Sequence, residues 1–327
     1  MMSRSSVTAM PEIWTQYPSS TRTAARGVEA AIDVDPGQIR GSASRYARRM
    51  LLLVDLDGTV WHGTIPVPGV AAVLADRASR GDTVAYVTNN AMYHREAYLP
   101  RLAAIGAPFT IELIITTARA TALYLASLRP AVERVLALGT DGLLRELRDV
   151  GLDAINAGEA ATRFRAGADP VEASRHPQAV VVSLDRELDY DRLVVSMASI
   201  RAGALFIATN RDPVYQTERG LQPGAGSVVA ALETMTAIEP FSIGKPEPHL
   251  LEAAMHAAGQ TPGDAVMIGD SLWADIPAAR AAGVRSILLL TGVSTADHLA
   301  AVPPGERPTA AARDAAELAA ALDALGG

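Results

Sequence analysis

A chain of 327 residues, 49% hydrophobic and 20% charged, has the make-up of an ordinary folded protein with room for two domains and a sizeable core. The absence of cysteine excludes disulfides, thiolate zinc sites and cysteine nucleophiles, so any catalysis falls to oxygen and nitrogen groups, and a reducing cytoplasm suits the composition. A net charge of -7 offers no general attraction to nucleic acid or anionic membrane, no run approaches the ~18 apolar residues of a membrane helix, and the first 30 residues lack the apolar centre of a secretion signal.

Residues 1–49 carry seven arginines against four acids, with much Ser, Thr and Ala and no sustained apolar period, and are expected to form a flexible extension. Their Arg and Ser content would suit an organelle transit peptide, but Glu12, Glu29, Asp33 and Asp35 count against it. From Met50 short apolar runs alternate with Ala/Leu-rich helical stretches, the pattern of parallel sheets. Strands are predicted at Met50–Val54, Thr83–Thr88, Leu113–Thr116, Ala265–Gly269 and Ser286–Leu290. A second set is predicted at Arg134–Leu138, Ala179–Leu184 and Ala204–Thr209, with helices at Gly142–Val150 and Tyr190–Ala202. The expected fold is therefore α/β: a Rossmann-like core at 50–130 and 239–327, its parallel sheet covered on both faces, interrupted by an α/β insert at 131–238.

Open parallel sheets bind ligands beyond the carboxyl ends of their strands, and polar residues collect there in this chain. The first strand delivers Asp55, Leu56, Asp57, Gly58 and Thr59, the second Thr88, Asn89 and Asn90, and a late strand the segment GDSLWAD with Asp270 and Asp275. The only lysine among 29 basic side chains, Lys245, follows another short apolar segment in FSIGKPEP. Gathering Asp55, Asp57, Asp270 and Asp275 at one edge sets like charges ~4 Å apart, a repulsion of about 4 kcal/mol per pair at an effective dielectric near 20. Such a cluster calls for cations; Mg²⁺, which prefers hard oxygen ligands and keeps places for water and phosphate, fits it, and Lys245 supplies further positive charge. Each motif alone also reads as ordinary structure: a turn at DGT, a helix cap at TNN or Asp275, a chance lysine on a surface loop.

Together VDLDGTVW, VTNN, GALFIATNRDPVY, GLQPGAGSVVAALE, IGKPEP and MIGDSLWADIPAARAAG resemble the haloacid dehalogenase-like superfamily. The likeness runs from about Met50 to Val293 and is closest to the branch of phosphatases that carry a large α/β cap between the second and third motifs. It implies Asp55 as nucleophile, Asp57 as general acid and base, Thr88 and the Asn89 backbone as phosphate ligands, and Lys245 as the group that orients Asp55. It further implies Mg²⁺ held by the carboxylates of Asp55 and Asp270 and the Asp57 carbonyl, with Asp275 steadying that site.

The same resemblance makes the insert a cap that closes over the site, with Arg211 and Tyr215 in NRDPVYQTERG as contacts to the leaving group. Pairing of Arg211 with a neighbouring acid, or packing of Tyr215 beneath its loop, is the structural alternative. The implied substrates are small phosphorylated metabolites, glycerol 3-phosphate first, then 2-phosphoglycolate, pyridoxal phosphate, nucleoside monophosphates and aryl phosphates. Relatives often form homodimers through the cap, but no apolar stripe here decides the oligomeric state. A phosphotransferase or mutase shares the Asp at position 57 and is the rival reading. A non-catalytic binding protein is the other, opposed by the intact set of Asp55, Asp57, Thr88, Lys245 and Asp270.

Overall fold

The computed structural model describes residues 49–217 and 220–326, so the expected N-terminal extension, Arg49 apart, lies outside the described residues. The chain begins β1 (Leu51–Val54), α1 (Val70–Ser79), β2 (Thr83–Thr88), α2 (Leu99–Ala104), β3 (Ile114–Thr116) and α3 (Thr117–Ser127). It continues β4 (Arg134–Leu138), α4 (Asp141–Asp149), β5 (Asp153–Asn156), α5 (Ala157–Arg165), α6 (Pro170–Ala173), β6 (Ala179–Val182), α7 (Tyr190–Arg201), β7 (Leu205–Ala208) and α8 (Ala225–Thr236). It ends β8 (Phe241–Ser242), α9 (His249–Ala258), β9 (Ala265–Gly269), α10 (Asp275–Ala281), β10 (Arg285–Leu289), α11 (Ala296–Ala301), β11 (Ala310–Ala312) and α12 (Ala315–Gly326). No helix among the described residues is long and apolar enough to cross a membrane.

Two parallel sheets result. One has the order β11-β10-β9-β1-β2-β3, the other β8-β7-β6-β4-β5. In the first sheet the strand order reverses at β1, and the crevice outside the carboxyl ends of β1 and β9 is where such a sheet takes a ligand.

Alternation along each strand explains why both faces are covered. Leu51 and Leu53 of β1 join Ala85, Val87, Ala265 and Met267 in one apolar cluster, while Leu52 and Val54 join Val84, Tyr86, Val266 and Ile268 in another. Each fully buried leucine contributes about 2 kcal/mol, so a one-residue slip of β1 is strongly disfavoured. A third cluster lies on the far face of the second sheet, around Leu136, Leu138, Val180 and Val182.

Within these two parallel sheets, three strands were not expected from the sequence. β5, β8 and β11 are two to four residues long and lack the β-branched apolar runs that mark the others. One of these matters for the insert: β8 pairs with β7, so the second sheet closes at Ser242, past residue 238 where the reading ended it.

Candidate active site

β1 ends at Val54 and β9 at Gly269, and their registered pairing of Val54 with Ile268 sets Asp55 and Asp270 side by side as the chains leave the sheet. Asp275 opens α10 one turn further on. Carboxylate oxygens of Asp55, Asp270 and Asp275, all buried, lie within 4.8 Å of one another. Lys245, only 3% exposed, reaches this group from the chain leaving the second sheet. Its Nζ stands 2.5 Å from Asp55 Oδ1, 2.7 Å from Asp275 Oδ1 and 3.4 Å from the carbonyl of Val87.

The partners divide the carboxylates. Asp275 is held by Lys245 and by the Ser271 N–H, which donates to its Oδ2 at 3.0 Å. Asp270 Oδ2 accepts from the Val293 N–H at 2.7 Å and meets no lysine. Gly58, at φ +90, is where β1's loop passes Asp270: a Cβ there would lie 2.2 Å from Asp270 Oδ2, so no larger residue fits without moving the carboxylate. Burial, followed by the charge of Asp275, pushes Asp270 up to about 7. Burial likewise pushes Asp55 well above the carboxylate range, with Lys245 opposing and Asp275 and Asp270 adding to it. Three carboxylates with one ammonium make an anion-rich site, in which burial first and mutual repulsion second hold these values up.

Asp57, two residues beyond Asp55 on the same loop, is exposed. Its Oδ1 accepts from the Trp61 indole N–H at 3.0 Å, and the Arg101 guanidinium lies 3.9 Å above the Trp61 ring. Crowding by protein raises its pKa, against the hydrogen bond from Trp61 and the charges of Arg101 and Lys245. Thr88, 3% exposed at the end of β2, accepts from the Asn90 N–H at 3.1 Å, which leaves its hydroxyl proton to donate.

The Asn89 side chain points away from any phosphate role. Its Oδ1 accepts from the Lys245 N–H at 2.9 Å, and its Nδ2 donates to the Lys245 carbonyl at 2.9 Å and to Asp212 Oδ2 at 3.1 Å. Arg211 and Tyr215 find their partners outside the acidic group. Arg211 Nη2 binds both oxygens of Glu233 at 2.8 Å, with Glu239 at 3.6 Å from Nη1, and Tyr215 donates to Gln222 Oε1 at 3.0 Å across a hairpin. The neighbouring-acid pairing thus describes Arg211 in this structure. The insert's residues that do approach the site are Asn210 and Asp212, at the carboxyl end of β7. The signal for both is in ATNRD, where polar side chains directly follow an apolar strand.

Residues 50–283 match the profile of the haloacid dehalogenase-like hydrolases. The chain belongs to this family of hydrolases. Among its relatives, the D-glycerol 3-phosphate phosphatase of Mycobacterium tuberculosis is 39% identical over 258 residues, 79% of this chain and 67% of the relative. A 5'-nucleotidase of Bacillus subtilis is 33% identical over 257 residues, 79% of this chain and 92% of the relative. The crystal structure of a glycerol phosphate phosphatase from Mycobacterium tuberculosis in complex with magnesium superposes with a TM-score of 0.70 at 36% identity, covering 83% of this chain and 77% of that one. Membership in the hydrolase family agrees with an anion-rich pocket at the carboxyl end of the sheet.

Proposed function

We propose that the protein is a Mg²⁺-dependent phosphatase of small phosphate monoesters in a reducing cytoplasm, with glycerol 3-phosphate as its leading substrate. The observation that carries this reading is the pocket where Asp55, Asp270 and Asp275 crowd within 4.8 Å around a single buried lysine. Its hard oxygen donors and excess negative charge fit Mg²⁺, which the carboxylates of Asp55 and Asp270 with the Asp57 carbonyl would hold. The ion, when bound, supplies positive charge that offsets the carboxylates and the phosphate.

In this reading an oxygen of Asp55 attacks phosphorus, the bond to the ester oxygen breaks, and Asp57 gives its proton to the departing alkoxide. Asp57, now a carboxylate, takes a proton from water; the resulting hydroxide attacks the same phosphorus and frees Asp55. Desolvation raises the Asp57 carboxyl above its ordinary value, which is the direction that favours a proton donor. Lys245 holds Asp55 in line and faces the incoming anion, and Thr88 donates its free hydroxyl proton to a phosphate oxygen. The preference for glycerol 3-phosphate is supported by the similarity to the mycobacterial phosphatase.

Phosphate release from glycerol 3-phosphate, 2-phosphoglycolate, pyridoxal phosphate, nucleoside 5'-monophosphates and 4-nitrophenyl phosphate, with Mg²⁺ and with chelator, tests the proposal. Release that needs Mg²⁺ is expected; isomerised sugar phosphate in its place would favour a mutase. Asp57→Asn on 4-nitrophenyl phosphate tests the covalent step, since 4-nitrophenolate leaves without a proton. A burst of one 4-nitrophenolate per enzyme followed by slow turnover, with a phosphoryl mass gain on the peptide holding Asp55, is the expected result. Unmodified Asp55 with no burst would remove the nucleophile assignment.

A further inference from the structure

We propose that Asp212 is a positioning residue for Lys245 and acts through the Asn89 side chain, so that a loop of the inserted segment sets the ammonium beside the nucleophile. The proposal rests on the phosphatase reading above and assigns work to residues which that reading leaves idle.

Asn89 is a three-way junction. Its amide oxygen takes the Lys245 N–H, and its amide nitrogen serves both the Lys245 carbonyl and the Asp212 carboxylate. Turning the amide over would set its NH₂ against the Lys245 N–H and its oxygen against the carbonyl and the carboxylate, so every contact would become repulsive. Asp212 therefore helps to hold the orientation in which Asn89 clamps the Lys245 backbone from both sides. From that clamped backbone the lysine side chain extends to Asp55 and Asp275.

The loop that carries Asp212 is itself fixed. Asn210 Oδ1 accepts from the Asp212 N–H at 3.1 Å, and the Asp212 carbonyl accepts from the Gly226 N–H at 2.9 Å at the start of α8. Asn210 Nδ2 donates to the Asn89 carbonyl at 2.8 Å, which Thr117 also bonds at 2.9 Å. The three segments meet at Gly244. A Cβ there would lie 2.7 Å from the Thr209 carbonyl oxygen, 2.8 Å from Asn210 Cβ and 2.8 Å from Asn89 Oδ1. No slack separates the insert's loop from the peptide preceding Lys245, so a shift of one moves the other. Removal of water from around Asp212 raises its carboxyl to about 6, with the Asn89 hydrogen bond opposing, as expected of an acid enclosed in this junction.

A double-mutant cycle with Asp212→Ala and Asn89→Ala tests the link, read by phosphate release and by thermal unfolding on the same four proteins. Asp212→Ala is expected to lower kcat about tenfold, with KM nearly unchanged and the same factor for glycerol 3-phosphate and 4-nitrophenyl phosphate. In the Asn89→Ala background it should cost nothing further. Asp212→Asn, whose amide oxygen can still accept from Asn89, should stay within about threefold of wild type. Losses that multiply across the cycle would overturn the proposal. So would a loss confined to one leaving group, or an Asp212→Asn protein as impaired as Asp212→Ala. Should Asp212→Ala fail to fold, Asp212→Ser, too short to reach Asn89, takes its place. A wild-type protein that releases no phosphate would refute the phosphatase reading instead, and the unfolding cycle, which needs no turnover, then decides the link: coupled losses uphold it and additive losses end it.

Discussion

Lys245 lies between Asp55 and Asp275 with 3% of its surface exposed, which explains why the one lysine of the chain stands at this position. An ammonium can approach two carboxylates and the Val87 carbonyl from a single point, whereas the planar guanidinium fork needs a wider slot. Burial alone would lower its pKa, but Asp275 and Asp55 raise it further, so the charge persists at every physiological pH. Lys245→Arg is accordingly expected to lose about 100-fold or more in kcat/KM although the charge is kept. Phosphate release by the purified variant measures this, and near-normal turnover would show that charge alone suffices. Asn89 makes the complementary point: one residue along β2's exit, its side chain serves Lys245 rather than any ligand.

At the scale of elements, α3 lies between α4 of the insert and α9 of the first sheet, and one apolar cluster runs unbroken from Leu51 and Leu53 through Ala122 and Leu125 to Leu143, Leu147 and Val135. A polar clasp closes the same seam. Glu146 of α4, fully buried, accepts from the Arg95 N–H at 3.0 Å and from the Arg95 guanidinium, with Arg119 at 3.8 Å, while His94 Nε2 stands 2.9 Å from Asp149. Removing the buried anion would leave Arg119 without its carboxylate and Arg95 with Asp149 alone, 3.5 Å away, in a poorly hydrated seam. Glu146→Gln is expected to lower the unfolding free energy by about 3 kcal/mol, as measured by urea titration. A change under about 1 kcal/mol would mean that water reaches the clasp and screens it.

For the whole molecule, the acidic group ties stability to pH and metal. Burial holds Asp270 up at about 7 and Asp212 at about 6, and Asp55 is also raised, all from an ordinary value of 3.8. The folded state then binds more protons than the unfolded chain between roughly pH 4 and 7, so stability is fullest below that window and is lost as pH rises through it. Lys245 stays charged throughout and adds no slope there. In chelator the melting temperature is expected to be lower at about pH 7.5 than at about pH 5.5. Added Mg²⁺ should raise it more at the higher pH, where the carboxylates must otherwise ionise against one another. Calorimetry at the two pH values checks this; a Mg²⁺ effect larger at the acidic value would contradict a carboxylate site.

The sequence alone determined the alternation of strand and helix, because buried parallel strands must be nearly continuous apolar runs. It also determined the candidate residues at their ends, because a loop leaving a buried strand is the first place where charge can meet solvent or ligand. Asp55, Thr88, Lys245 and Asp270 were legible on those grounds. Only the tertiary structure decided which polar groups face one another: that Arg211 turns to Glu233, that Asp212 meets Asn89, and that β8 completes the second sheet with two residues. Hydrogen bonds and ion pairs act over a few ångströms, here between residues from 22 positions apart, Arg211 and Glu233, to 123 apart, Asn89 and Asp212, and no local spacing in the chain encodes that proximity.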